Sequence, residues 1–477
     1  MPDELDHRHR MLVLAICCTS LLIVTLDNTV LNVALPTLQR EFGTSVSGMQ
    51  WAVDAYTLVL ASLLMLAGST ADRIGRRKIF VAGLVIFTLG SALCSLAPSL
   101  ELLVAFRMVQ AVGGSMLNPV AMSIITNTFT DPRERARAIG VWGGVSGISL
   151  AAGPLVGGAL VDSVGWRSIF LVNLPVGLAA LALTLRHVPE SRAPKPRRAD
   201  PVGQLLVIVL LGALTFAIIE APRAGWTSPL ILSAAGVAAL GLVGLLRYEP
   251  RRSEPLIELR FFRSAPFSGA TVIAVCAFAA LSGFLFLSTL YLQDVLGLDA
   301  LHAGLWMLPI AAMALVCGPL SGRLVGGRGP RIPLLIAGVT MTASGVLFAA
   351  FDAAASDGTR LIGYVLFGLG FGFVNAPITN TAVSGMPRAQ AGVAAAIAST
   401  SRQVGTTLGV AVIGAVLASG VTSSSYAKEF TPASRPGWWI IAGCGLAVLV
   451  LGAVTSGRWA RETARRTAER LEGTDGR

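Results

Sequence analysis

The sequence predicts an all-α polytopic membrane protein with fourteen transmembrane helices. Three observations predict it. Apolar residues make up 54% of the 477 and charged residues only 13%, where soluble chains run near 25% charged. Apolar stretches recur at the length a bilayer demands, about 20 residues each. The basic residues fall between those stretches in blocks that alternate between dense and sparse. A soluble multidomain enzyme is excluded, because so few charges cannot solvate the surface of a folded chain this long.

The fourteen stretches lie at 11–35, 47–69, 79–97, 100–122, 138–161, 168–186, 203–221, 229–247, 267–290, 303–325, 332–351, 360–382, 391–418 and 437–457. The first follows a charged lead, MPDELDHRHR. It is too long for a signal-peptide core and carries Asp27 in place of a small-residue cleavage site, so it reads as a retained helix. With the N-terminus in the cytoplasm, 29 of the 37 Lys and Arg fall on the inner side, six outside and two within helices. One miscounted helix would scramble that bias downstream, and it persists to the end. Both termini are therefore expected inside. Six of the eight tryptophans then sit near the outer interface and Trp142 and Trp459 near the inner one, as an aromatic belt requires.

Two inner linkers, 187–202 and 248–266, divide the helices into six, two and six. The expected units are an N-terminal six-helix bundle (1–190), two extra central helices with their linkers (191–265), a C-terminal six-helix bundle (266–457) and a cytoplasmic tail (458–477). Internal similarity supports the cut. GSTADRIGRR at 68–77 has a degenerate relative, GPLSGRLVGGR, at 318–328, with Gly322 where Asp72 stands. A parallel repeat of two six-helix halves is a layout of many secondary transporters.

Other counts remove further classes. The six cysteines lie inside apolar runs, away from any disulfide framework or metal knuckle. The four histidines are scattered, so no metal site is expected. None of the three lysines completes a Walker motif, so the chain carries no nucleotide site of its own. The net charge of +11 comes from short arginine blocks between apolar runs, so loop charge accounts for it and nucleic acid is not a partner. No cofactor is expected.

Ionisable residues inside the bilayer cost at least about 2.5–3.5 kcal/mol each, so they mark function or pairing. At 1.5 Å per residue, Asp27 lies about 24 Å along its helix from the inner side, and Asp54 and Arg107 each about 10 Å from the outer side. All three then sit at similar depth in the outer half, where two acids and one base can share a cavity. The alternative for both acids is a static ion pair. Arg402 lies about 16 Å into its helix, near the midplane. It reads as a gating residue, with a carboxylate or an anionic substrate group as the other possible partners.

GSTADRIGRRK at 68–78 resembles the signature loop of the major facilitator superfamily, in Gly68, Asp72, Arg73, Gly75, Arg76 and Arg77, with Thr70 where leucine is usual. Gly68 is expected to let two helices approach closely. Asp72 is expected to face the helix start near Arg388–Gly392 and latch the inner gate. GPLVGG at 153–158 (Gly153, Pro154, Gly157, Gly158) resembles the motif of the exporting, antiporter branch. LDNTVLNVALP at 26–36 is similar to the first-helix signature of the fourteen-helix drug:proton antiporters. Arg107 and Gln110 match the proton-transfer motif of that family, with Ala111 where a glycine is usual. WAVDAYTL at 51–58 is similar to exporters of quaternary ammonium compounds and cationic dyes. WRSIFLVNLPVG at 166–177 also looks familial.

The resemblance implies a non-enzymatic, proton-coupled multidrug exporter of the major facilitator fold in the inner cell membrane, a monomer that moves amphipathic, cationic small molecules. In it Asp27 is the principal proton and cation site, Asp54 is auxiliary, Arg107 tunes them, and Gln110 belongs to the same proton-transfer motif. The rivals are a self-resistance exporter of one antibiotic or metabolite, a nutrient:proton symporter, and a membrane receptor. The antiporter motif counts against the symporter, and about 20 residues after Gly457 are few for a sensory domain.

Overall fold

A computed structural model describes residues 6–193, 200–252, 254–350, 356–384, 386, 391–421 and 426–475. All regular structure among them is helical. The helices are α1 (His7–Phe42), α2 (Val46–Ile74), α3 (Arg76–Ser95), α4 (Leu100–Thr128), α5 (Pro132–Ser163), α6 (Ser168–Leu171), α7 (Asn173–His187), α8 (Pro201–Ala224) and α9 (Pro229–Tyr248). They continue as α10 (Ala265–Leu290), α11 (Ala300–Arg328), α12 (Arg331–Ala350), α13 (Asp357–Val383), α14 (Ala391–Gly420), α15 (Tyr426–Thr455) and α16 (Arg458–Asp475). Among the described residues, thirteen helical segments, with α6 and α7 counted as one, are long and apolar enough to cross a membrane. The remaining predicted stretch, 138–161, lies in α5, which is long enough at 32 residues.

The helix ends follow local chemistry. Ser99, Ser228 and Ser356 cap α4, α9 and α13, each accepting a backbone N–H of the first turn. Asp131 caps α5 ahead of Pro132, whose missing N–H costs nothing in a first turn.

The chain divides into two compact units. The first holds Met1–Thr44, Trp51–Pro201 and Asp299–Leu305. The second holds Ser45–Gln50, Val202–Leu298 and Trp306–Arg477, which includes α8 and α9.

Small residues set the helix spacing in the first unit. A Cβ on Gly90 would sit 2.5 Å from the Gln110 Cα, and one on Gly113 would strike the Phe87 backbone, so α3 and α4 touch backbone to backbone. Gly153 and Gly157 bring α5 against Thr29 and Val30 of α1 in the same way. These contacts fix the rotations that aim Asp27, Ser91, Arg107 and Gln110 at one another. In the second unit Gly405 and Gly409 of α14 lie against the backbone of Val275 and Ala279 of α10.

The predicted tail is a helix. On α16, Ala460, Ala464, Thr467 and Leu471 are buried, and the Thr463 hydroxyl accepts the Ala265 N–H at 3.0 Å.

Candidate functional site: a buried acid–base network

The first unit holds an ion pair deep in its core. Arg107 Nη1 of α4 donates to Asp27 Oδ2 of α1, and the two side chains are 1% and 2% exposed. The same nitrogen donates to Gln110 Oε1 at 2.8 Å. Asp27 Oδ1 accepts from Gln110 Nε2 at 2.9 Å and from Asn173 Nδ2 of α7 at 3.0 Å. Both amides also donate to Ser91 Oγ of α3, at 2.7 and 3.2 Å. The guanidinium carbon lies 4.1 Å over the Tyr56 ring and 5.8 Å from that of Phe170. One carboxylate is thus held by a cation and two amides, and the cation by an acid and two aromatic faces. Four helices contribute polar groups, and α2 supplies Tyr56.

The structure brings the predicted Asp27, Arg107 and Gln110 together and leaves Asp54 outside their network. Asp54 on α2 is 0% exposed. Its Oδ1 stands 3.5 Å from the Thr57 hydroxyl, and its Oδ2 is buried with no hydrogen-bond partner. Among the described residues no cation pairs with it. Arg107 Nε and the Tyr56 hydroxyl are also buried without partners, so the network has unused polar capacity.

Asn173 and Ser91 went unassigned from sequence. Asn173 had a signal, its place in WRSIFLVNLPVG. Ser91 had none, being a small polar residue in an apolar stretch.

The signature loop closes on its own unit. Asp72 pairs with Arg76, one turn on, at 3.0 Å. The Asp72 carbonyl accepts the Ala193 N–H at 3.1 Å, and the Ser191 carbonyl accepts the Arg76 N–H at 2.9 Å. Glu190 Oε1 accepts the Arg77 N–H at 3.1 Å, and Arg77 Nη2 donates to the Leu185 carbonyl. Gly75 has φ +136° with the Glu190 carboxylate packed over it, so both backbone and space favour glycine there. Arg73 is exposed. Of the partner expected for Asp72 near Arg388–Gly392, residues 388–390 lie outside the described residues, and Ala391 and Gly392 open α14. Gly68 is not needed for close approach, since a Cβ there would meet the Pro119 Cβ at an ordinary 3.7 Å.

The antiporter string is buried along α5. Gly153 and Gly157 face α1. A Cβ on Gly158 would stand 2.5 Å from the Ala300 carbonyl oxygen, and one on Gly304 would strike the Pro154 carbonyl, so α5 also touches the first turns of α11. Asp162 seals that contact by accepting the N–H groups of Ala300 and Leu301, at 3.3 and 2.7 Å. Gly158→Val is expected to open it and to abolish export while the protein still inserts. Resistance assays normalised to membrane-inserted protein check this, and wild-type resistance would show the contact to be dispensable.

In the second unit Arg402 Nη2 donates to the Thr379 hydroxyl of α13. The guanidinium carbon lies 5.9 Å from the Phe278 ring of α10, and Nε is buried without a partner.

A chain of helices that cross the membrane, holding a matched ion pair in one unit, fits a transporter. The sequence model described as Major Facilitator Superfamily matches residues 17–410. The chain belongs to the major facilitator superfamily. Within it, the Multidrug resistance protein Stp of Mycobacterium tuberculosis (strain CDC 1551 / Oshkosh) is 40% identical over 418 residues, covering 88% of this chain and 78% of Stp. The Tetracenomycin C resistance and export protein of Streptomyces glaucescens is 37% identical over 402 residues, covering 84% of this chain and 74% of that protein. A crystal structure of a bacterial homolog to the human lysosomal transporter Spinster, inward-facing and occupied, matches with a TM-score of 0.66 at 18% identity, over 97% of this chain and 99% of that one. That likeness is one of fold. The relatives within the superfamily are multidrug and antibiotic-resistance efflux pumps. This chain is a multi-pass protein of the cell membrane.

Proposed function

We propose that the protein is a proton-coupled exporter of amphipathic small molecules, crossing the membrane fourteen times with α5 as the fourteenth span and both termini in the cytoplasm. The observation that carries the reading is the presence of two differently held buried acids, Asp27 and Asp54, in the first unit of a chain related to resistance pumps. Asp27 is neutralised by Arg107 and hydrogen-bonded by two amides. Asp54 is buried with an oxygen that has no hydrogen-bond partner among the described residues. An exporter that exchanges protons for drug needs a carboxyl that a proton and a cationic substrate occupy in turn. Among the described residues Asp54 has no cation to displace, and Asp27 becomes available when Arg107 releases it. Gln110, Asn173 and Ser91 hold Asp27 in place while that exchange occurs.

A protonophore is expected to abolish substrate uptake into everted vesicles, and ATP without a gradient is expected to support none. Uptake that survives the protonophore overturns proton coupling. The similarity to the Tetracenomycin C resistance and export protein favours a second reading, a dedicated exporter of one antibiotic. A susceptibility panel in a pump-deleted host separates the two: broad resistance supports the first and a single protected compound the second.

A further inference from the structure

Arg402 presents a different chemistry from the acids of the first unit. It lies midway along α14, in the second unit, with its side chain partly buried. Among the described residues no carboxylate pairs with it. One donor goes to the Thr379 hydroxyl, and Nε is buried and unused. Arg107, the other arginine within a span, is by contrast matched by Asp27.

The surroundings of Arg402 are rigid and aromatic. Gly405 and Gly409, one and two turns on, seat α14 against the α10 backbone, and the Ser282 hydroxyl of α10 donates to the Thr406 carbonyl at 2.8 Å. This packing holds Phe278 beside the guanidinium. Phe278 in turn packs edge to face with Phe371 of α13, with ring centroids 5.3 Å apart at 71°. A guanidinium is a planar fork of donors that matches a carboxylate, and the rings beside it favour an aromatic body.

We propose that Arg402, Phe278 and Thr379 form a binding site in the second unit for the anionic group of aromatic carboxylate substrates. The proposal rests on the exporter reading and extends it from cations to zwitterions and anions. Arg402 is then a specificity residue rather than the gating residue its place in the sequence suggests.

Rhodamine B and its ethyl ester test this, because they differ at the carboxylate alone. Binding to the purified full-length protein is measured by fluorescence anisotropy. The unaltered protein is expected to bind rhodamine B roughly 10-fold more tightly than the ester, the scale of a charge-assisted bond. Arg402→Gln is expected to erase the difference by weakening rhodamine B alone. Arg402→Lys, which keeps the charge and loses the fork, is expected to keep part of it. Unaffected binding of the ester to Arg402→Gln shows that the variant has folded. Equal affinity of the unaltered protein for the two dyes, or an equal loss of both in Arg402→Gln, overturns the site and returns Arg402 to gating. Export of the ester by the unaltered protein and its sensitivity to a protonophore are measured in parallel, so failure of the site is distinguishable from failure of the exporter reading.

Discussion

Arg107→Gln is expected to destabilise the protein by about 3–5 kcal/mol, the cost of stranding a buried charge when its partner is removed. The pair is almost fully enclosed, and Asp27 Oδ2 depends on Arg107 Nη1. The two amides on Oδ1 satisfy hydrogen bonding there but bring no charge. The double variant Asp27→Asn/Arg107→Gln removes both charges and keeps hydrogen-bonding groups at both positions, so most of the lost stability is expected to return. Transport is not expected to return, because the double variant has neither an acid to exchange a proton nor a cation to displace. Thermal unfolding in detergent and dye export from whole cells measure the two properties separately. An additive loss of stability in the double variant would mean that the ion pair contributes nothing as a pair, and export by it would remove Asp27 from the coupling machinery.

The nearness of Asp27 and Arg107, though not their closure into an ion pair, was legible in the sequence for a physical reason. Charges inside apolar runs are costly, so their positions stand out, and counting 1.5 Å per residue brought Asp27 and Arg107 to similar depth. Depth alone carries no rotation about the helix axis. Asp54 was therefore grouped with them, whereas its side chain makes no bond to the network. The amide and hydroxyl that complete the network, Asn173 and Ser91, were not legible as partners, because uncharged polar residues cost little in a helix and leave no pattern. Glu190 was hidden by its linker, where basic residues outnumber it, although it accepts the Arg77 N–H.

The fold was legible wherever an element is apolar along its length. Where a helix crosses the bilayer, lipid exposure imposes a continuous run, and all fourteen stretches lie on helices. One exception to that signal is instructive. Helix α16 buries alanine and threonine against a neighbouring helix, and its arginines and glutamates mask that narrow face from any search for apolar runs.

Asp54→Asn is expected to leave folding intact and to change which cations are exported. The side chain forms no ion pair among the described residues, and Oδ2 has no partner, so the amide strands no opposite charge. Its loss matters for the electrical balance of exchange. With two acids titrating, two protons enter for each cation that leaves. A monovalent cation then gains help from the membrane potential, and a divalent one exchanges without net charge movement. With one acid, the monovalent exchange becomes neutral. Losing one proton costs either cation about 2.3 kcal/mol per 100 mV, roughly fifty-fold in attainable gradient, but the monovalent exchange is still driven by the pH gradient, whereas the divalent one is left moving a positive charge outward against the potential. The divalent cation also loses one of two counter-charges in a low-dielectric site. Resistance to bis-quaternary compounds is therefore expected to collapse in Asp54→Asn, while matched mono-quaternary compounds lose part of theirs and neutral ones least. Minimum inhibitory concentrations on such a series, with membrane levels of the protein measured alongside, check the order. An equal loss across the series would place Asp54 on a proton path common to all substrates. No loss in any class would remove it from transport and move the dedicated-exporter reading ahead.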